Sequence, residues 1–396
     1  MNPSDFAPLS IKVEGWRGIS HSYSLVNQFQ LLAWRRSGLA ELQHVDMPFV
    51  MPHWSSAENS AGFDDDDCML IGAIAQEGIP EAIYRIFAPF GLDTPLELPT
   101  LTFAVTEFGL SSTHYLQASV DSYASRGGMI HTPSRWSKTR LIANGIPEDI
   151  IHVVPHAADA KYFFPLDRTI IEQNRRALGF GSEDVVLLNV GTHHWNKGLD
   201  VLIKSFAHAR RKHRCLKLLL KDQRSTYLMN SESYVQQVLT EIGMNDDETM
   251  AAIRMVPGHL TLAQLNCFYN LADAYLTPYR AEGFNLPALE AQACGTPVIA
   301  TAGGATDDFL DGPGYYPISG RLIENAKLKE ELPVNAYIEP DLDELIHLLE
   351  AIPPKVVQLG PACRLDWDQV CERLNAVFRT KRVQDIARNG ALAEAF

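Results

Sequence analysis

Basic residues are scarce in this chain: 34 lysines and arginines stand against 48 aspartates and glutamates, a formal charge of −14 over 396 residues. Such a field opposes nonspecific nucleic-acid binding and binding to anionic lipid, except where cations cluster. An anionic ligand must therefore be met by local cations and by helix N-termini. Long hydrophobic runs are also missing, and no apolar stretch reaches the roughly 18 residues of a membrane span. The first residues, Met1-Asn2-Pro3-Ser4-Asp5-Phe6, lack the basic patch and apolar core of a signal peptide. Six cysteines, at 68, 215, 267, 294, 363 and 371, form no Cys-x-x-Cys pair. Reduced core thiols in a cytoplasmic protein are expected, rather than a zinc site or a disulfide scaffold. No Gly-x-Gly-x-x-Gly follows a strand-like run, which leaves a nicotinamide dehydrogenase unsupported.

What is present is an ordinary globular composition, 46% hydrophobic and 21% charged. The length suggests about two to three domains. The second half alternates cleanly. Asp184 to Val190 is a short apolar run that suits a buried parallel strand. Lys197 to Arg211 carries Leu199, Leu202, Ile203, Phe206 and Ala209 at helical spacing. Strands follow at 216–220, 253–256, 274–276 and 297–300, with helices at about 234–242, from Thr261 to Leu271, and after Asn285. The first half is similar. Its strand candidates are 11–13, 45–51, 83–87, 101–105, 129–131 and 151–154, with helices at about 25–36 and 134–144. A charged helix is expected from about Asp167 to Leu178. Such alternation implies α/β domains with parallel sheets covered on both faces. Residues 1–165 thus read as one Rossmann-like domain, 166–183 as a linker and 184–365 as a second domain. Residues 366–396 read as a helical tail packing back toward the first.

Chemistry concentrates at Glu282-Gly-Phe-Asn-Leu-Pro-Ala-Leu-Glu290, between a strand and a helix start. In an open parallel sheet, ligands bind at the carboxyl ends of strands, beside helix N-termini. Free amides and the helix dipole there favour an anion such as a diphosphate. Gly283 allows close approach to the backbone. Glu282 can accept hydrogen bonds from sugar hydroxyls. Glu290, one turn beyond Leu286, can take both hydroxyls of a ribose.

The run from Asp273 to Ala300 around this segment resembles the nucleotide-sugar site of retaining GT-B glycosyltransferases, in particular glycosyltransferase family 4 (glycosyl transferases group 1). The segment Asn189-Val-Gly-Thr-His-His-Trp-Asn-Lys-Gly-Leu-Asp resembles the first strand–loop–helix of that family's donor domain. Thr132-Pro-Ser-Arg-Trp-Ser-Lys and Val153-Val-Pro-His-Ala-Ala-Asp resemble the end of its first domain and the approach to its linker. The likeness is good over about 130–310 and weaker before. It implies two Rossmann-like doubly wound domains facing a central cleft, the acceptor met by the first and the donor by the second. It implies that Lys197 binds phosphate. Gly191, Thr192, Gly283, Phe284, Asn285 and Leu286 fall at donor-binding positions. Where the family often has an arginine, this chain has Thr192; Lys221 or Arg224 could replace that cation. Where many members end a strand with a histidine near the reacting sugar, this chain has Glu107. Glu107 and His21 are therefore candidate catalytic groups beside Glu282, and Gly18 offers backbone to the donor or acceptor.

The resemblance implies a retaining hexosyltransferase using a UDP- or GDP-linked sugar, without metal or other cofactor. The acceptor would be a glycan, a lipid-linked saccharide or a small molecule. Peripheral membrane contact and the oligomeric state stay open. Another GT-B enzyme such as a sugar-nucleotide epimerase is an alternative, as is a catalytically silent sugar-nucleotide-binding or scaffold protein. Asp64-Asp65-Asp66-Asp67 is read as a solvated loop rather than a metal motif. His193-His194 is not read as a metal pair, because adjacent side chains diverge on a regular element.

Overall fold

The computed structural model describes residues 7–56, 60–92, 98–110, 120–228, 230–327, 333–351 and 365–393. The chain divides into two compact units. One comprises residues 1–157, 327–334 and 365–396; the other comprises 158–326 and 335–364.

The first unit contains β1 (Leu9–Gly15), α1 (Ser22–Ser37), β2 (Ala40–Asp46), α2 (Asp65–Gly72), β3 (Ala82–Ile86) and β4 (Thr100–Phe103). It continues with α3 (Val120–Ser125), β5 (Gly128–Thr132), α4 (Arg135–Ala143) and β6 (Ile151–Val153). Its six strands pair in parallel in the order β2-β1-β3-β4-β5-β6. The order turns back at β1 and β3, the switch point of a doubly wound sheet.

The second unit holds α5 (Arg168–Ala177), β7 (Val185–Val190), α6 (Leu199–Arg210), β8 (Leu216–Lys221), α7 (Arg224–Tyr227), α8 (Ser231–Glu241), α9 (Asp247–Ala251) and β9 (Ile253–Val256). Then come α10 (Leu262–Leu271), β10 (Ala274–Thr277), α11 (Leu286–Ala293), β11 (Val298–Thr301) and β12 (Tyr315–Ile318). A two-stranded sheet of β13 (Gly320–Lys327) and β14 (Pro333–Pro340) follows, then α12 (Leu342–Glu350). The six-stranded sheet runs β12-β11-β10-β7-β8-β9, all parallel. This is the dinucleotide-binding strand order, with its switch point between β7 and β10. β10 and β11 are buried at every position, as expected of strands covered on both faces.

The last helix, α13 (Trp367–Ala393), belongs to the first unit. Trp367 stacks on Phe29 of α1 with ring centroids 5.2 Å apart. Trp34 Nε1 donates to Asn375 Oδ1 at 3.1 Å. Buried Val370, Leu374 and Phe378 recur on one face of the helix.

Three regions differ from the sequence reading. Residues 166–183 are built into the second unit: α5 is capped by Asp167, and Arg175 pairs with Asp273 at 3.1 Å. The second strand is 40–46 rather than 45–51, because Pro48 and Pro52 have no N–H to give a ladder. The four aspartates begin a helix. Asp64 accepts from the Asp67 amide at 2.9 Å as N-cap of α2, and Asp67 is buried against Arg36. Five cysteines are free thiols, and Cys363 lies outside the described residues.

Candidate functional site

At the second unit's switch point β7 and β10 stay paired only through Ala274–Leu187 and Tyr275–Leu188. Beyond that they part, and Asn189 Nδ2 spans the opening to the Leu276 carbonyl at 2.7 Å. Two loops leave the sheet here. After β7 the chain makes a turn at Trp195–Lys197 before α6. After β10 it runs through residues 278–285 into α11.

These loops are stitched together. The Asn196 carbonyl accepts from the Arg280 amide at 2.8 Å and from the Ala281 amide at 3.2 Å. Asn196 Nδ2 donates to the Ala281 carbonyl at 3.1 Å. Gly198 makes the approach possible. It has φ +68°, and a Cβ there would sit 1.8 Å from the Pro278 carbonyl oxygen. The result brings Lys197 and Glu282, 85 residues apart, into an ion pair at 2.9 Å.

α11 begins at Leu286, with Asn285 as its cap in a left-handed conformation, φ +78°. Asn285 Oδ1 accepts from the Ala288 amide at 3.3 Å, and its Nδ2 donates to Thr277 Oγ1 at 2.9 Å. Pro287 fills the first turn, where a missing N–H costs nothing. Phe284 is buried against Phe309, ring centroids 4.7 Å apart. Gly283 is buried between Glu282 and Phe284.

Glu290 lies one turn into α11 and is only 5% exposed. Its Oε2 accepts from the Tyr269 hydroxyl at 2.6 Å. Its Oε1 has no partner among the described residues. Burial pushes this carboxyl up to about 7, with the Tyr269 hydrogen bond pulling the other way. Lys221, at the end of β8, pairs in register with Val190 and is 7% exposed. Its ammonium donates to the Asp222 carbonyl. Burial pulls it down to about 8, opposed by the Asp222 charge. The Gly191 amide donates to the Lys221 carbonyl at 3.1 Å, and nothing lies within 4 Å of where a Gly191 Cβ would stand.

Thr192 Oγ1 meets His194 Nδ1 at 2.7 Å. His193 turns away, stacking on Tyr234 with ring centroids 4.9 Å apart and meeting Ser231 Oγ at 3.2 Å. The two histidines diverge, and no group of metal-binding side chains occurs among the described residues. Arg224 opens α7, but its side chain lies outside the described residues.

The remaining candidates lie in the first unit. His21 caps α1, its Nδ1 accepting from the Tyr23 amide at 3.2 Å. Its ring sits 5.3 Å from both Trp16 and Trp54. Gly18 has φ +81°, and its amide donates to Gln28 Oε1 at 2.6 Å. Glu107 is half-buried in the loop after β4, where its backbone carbonyl accepts from Trp136 Nε1 at 2.6 Å.

Residues 170–330, which hold the Lys197–Glu282 pair and Glu290, match the family model described as glycosyl transferases group 1. D-inositol 3-phosphate glycosyltransferase of Acidothermus cellulolyticus is 27% identical over 253 residues, covering 62% of this chain and 51% of that protein. The enzyme of the same name from Segniliparus rotundus is 32% identical over 249 residues, covering 61% and 49%. The chain thus spans about half the length of these relatives. Among solved structures, HepE of Anabaena in complex with UDP and glucose superposes with a TM-score of 0.56 at 13% identity, over 97% of this chain and 99% of that one. A glycosyltransferase of Rickettsia africae gives 0.61 at 14% identity, over 95% and 97%. Likeness at such identity establishes the fold: the two-sheet architecture is that of GT-B glycosyltransferases.

One buried charged cluster beside this site escaped the sequence reading. Arg280, 5% exposed, forms bidentate pairs with Asp200 at 2.8 and 2.9 Å and with Glu339 at 2.8 and 3.0 Å. Burial works against its charge, but the two carboxylates outweigh that and hold the guanidinium above its ordinary range. The signal was present as a lone arginine in the apolar run before Glu282. Its partners are 80 and 59 residues distant, and Glu339 lies outside the matched segment.

Proposed function

We propose that the chain is a retaining glycosyltransferase. It moves a hexose-type sugar from a UDP- or GDP-linked donor to a glycan, lipid-linked saccharide or small-molecule acceptor, without a metal ion. The observation that carries this reading is the Lys197–Glu282 pair, set where β7 and β10 part. A cation and a sugar-binding carboxylate side by side suit the junction of a diphosphate and a hexose.

Lys197 and the backbone from Gly283 to Leu286 hold the diphosphate, and Lys197 neutralises it as it departs. Glu282 accepts from the sugar hydroxyls. The Glu290 oxygen that Tyr269 leaves open accepts from the ribose. Lys221 adds positive charge at the neighbouring strand end, where Thr192 supplies none. His21 and Glu107 are the groups offered to the acceptor hydroxyl, and retention follows from attack on the face the diphosphate leaves. Relatives support the class: HepE was solved with UDP-glucose, and a similar protein of Agrobacterium fabrum is a mannosylfructose-phosphate synthase. No described helix is long and apolar enough to cross a membrane.

Incubation with UDP-, GDP- and dTDP-sugars and a panel of saccharide acceptors tests the proposal. Release of the nucleoside diphosphate, with a glycoside of retained anomeric configuration by NMR, is expected. Donor binding without turnover against any acceptor would instead indicate a silent sugar-nucleotide-binding protein.

A further inference from the structure

We propose that Arg280 is a positioning residue for the donor site, a buried clamp that sets where Lys197 stands. The inference rests on the donor-site reading above.

Three segments converge on this one side chain. Its Nη1 donates to the Trp195 carbonyl at 3.0 Å, and its guanidinium lies 5.2 Å from the centroid of the Trp195 ring. One of its faces takes Asp200, on the first turn of α6. The other takes Glu339, at the end of β14. Its backbone joins in. The Arg280 amide donates to Asn196 at 2.8 Å, and its carbonyl accepts from Ile338 at 2.8 Å. The turn that carries Lys197 is therefore held from both sides, by Trp195 before it and Asp200 after it.

A planar guanidinium is needed for this geometry. It offers five donors in a fixed fork, so it can serve two carboxylates and a carbonyl at once. A lysine presents one point charge and cannot hold all three in place. A carboxylate left behind by the loss of Arg280 would be partly buried and unpaired, which is costly. The simple structural role would end there. A clamp on Lys197 makes a sharper demand: its loss must weaken the grip on phosphate selectively.

The test compares Arg280→Lys and Glu339→Gln with the unaltered chain, using UDP and GDP beside uridine and guanosine in calorimetric or competition titrations. For whichever base binds, Arg280→Lys should lower affinity for the diphosphate about tenfold while the nucleoside's affinity stays within a factor of two. Glu339→Gln, which keeps the Asp200 side of the clamp, should lower it about threefold. Melting temperatures report separately on folding. Equal weakening of nucleoside and diphosphate, or no weakening in either folded variant, would overturn the inference. Failure of the unaltered chain to bind any nucleoside diphosphate would instead sink the donor-site reading on which it rests.

Discussion

Each six-stranded sheet has a switch point, between β7 and β10 in the second unit and between β1 and β3 in the first, yet the side chains gathered there differ in kind. In the second unit charges meet charges: Lys197 with Glu282, and Arg280 with Asp200 and Glu339. In the first, rings gather beside an ion pair, Arg17 with Asp46 at 2.7 Å. Trp16, His21, Tyr23 and Trp54 lie within about 6 Å of one another along the chain of contacts. Gly18 gives its N–H to Gln28, and His21 spends a ring nitrogen capping α1. On the proposed reading, strand order alone does not make a phosphate site. It supplies a place, and fixed local charge decides what that place can hold.

The comparison can be broken or sharpened by substitution. The largest effect is expected at Gly198→Ala, where the new Cβ would overlap the Pro278 carbonyl. A loss of about 4 kcal/mol in denaturant unfolding is expected. Gly38→Ala is the control: its φ is +67° but nothing lies within 4 Å, so about 1 kcal/mol of backbone strain is all it should cost. Equal effects would show that the close approach of the two loops is not what Gly198 serves.

Next in size, Lys197→Ala should reduce kcat/KM for the donor on the order of 100-fold, the scale of losing one aimed electrostatic partner. Steady-state kinetics with a saturating acceptor reads this directly.

Glu290→Gln should change the pH dependence of stability. The folded carboxyl sits near 7, above its ordinary value of 4.5. The contribution is thus fully present below the unfolded value and is lost as pH rises toward 7. Unaltered protein should gain on Glu290→Gln by roughly 3 kcal/mol between pH 8 and pH 4, the size of such a shift. Parallel melting curves for the two proteins across that range would remove Glu290 as a buried acid.

Smaller still, Lys221→Met should cost about tenfold in diphosphate affinity at pH 7, as expected for one partly buried cation. The cost should shrink as pH rises through about 8, where burial strips the lysine of its charge. Last, His21→Ala should cost about 1 kcal/mol of stability, as loss of a helix cap does. A much larger loss would mean that the aromatic cluster, rather than the cap, depends on His21.

Much of this molecule was legible in its residues, and the legible parts share a property. The strand at 253–256, the helix beginning at Thr261, and the Asn285 start of α11 are local patterns, settled within a few residues. The pairing of Lys197 with Glu282 was approachable only through family resemblance, since no local rule joins positions 85 apart. Arg280 was illegible because a buried ion pair is specified by partners on other elements. Tyr269 and Glu290 met for the same reason, one on α10 and one on α11. The aspartate run misled because the same acids that suit a solvated loop also suit a helix N-terminus, and only the contact with Arg36 decides between them. β12 was missed because it is only four residues long, and β13 and β14 because polar residues interrupt their apolar ones.

The central claim is that the parting of β7 and β10 holds the nucleoside diphosphate of a sugar donor. Calorimetric titration of UDP and GDP into the unaltered chain, Lys197→Ala and Glu290→Ala tests it most directly. The account predicts one-site binding of at least one diphosphate, weakened tenfold or more in both variants. Undiminished binding in both folded variants would contradict it.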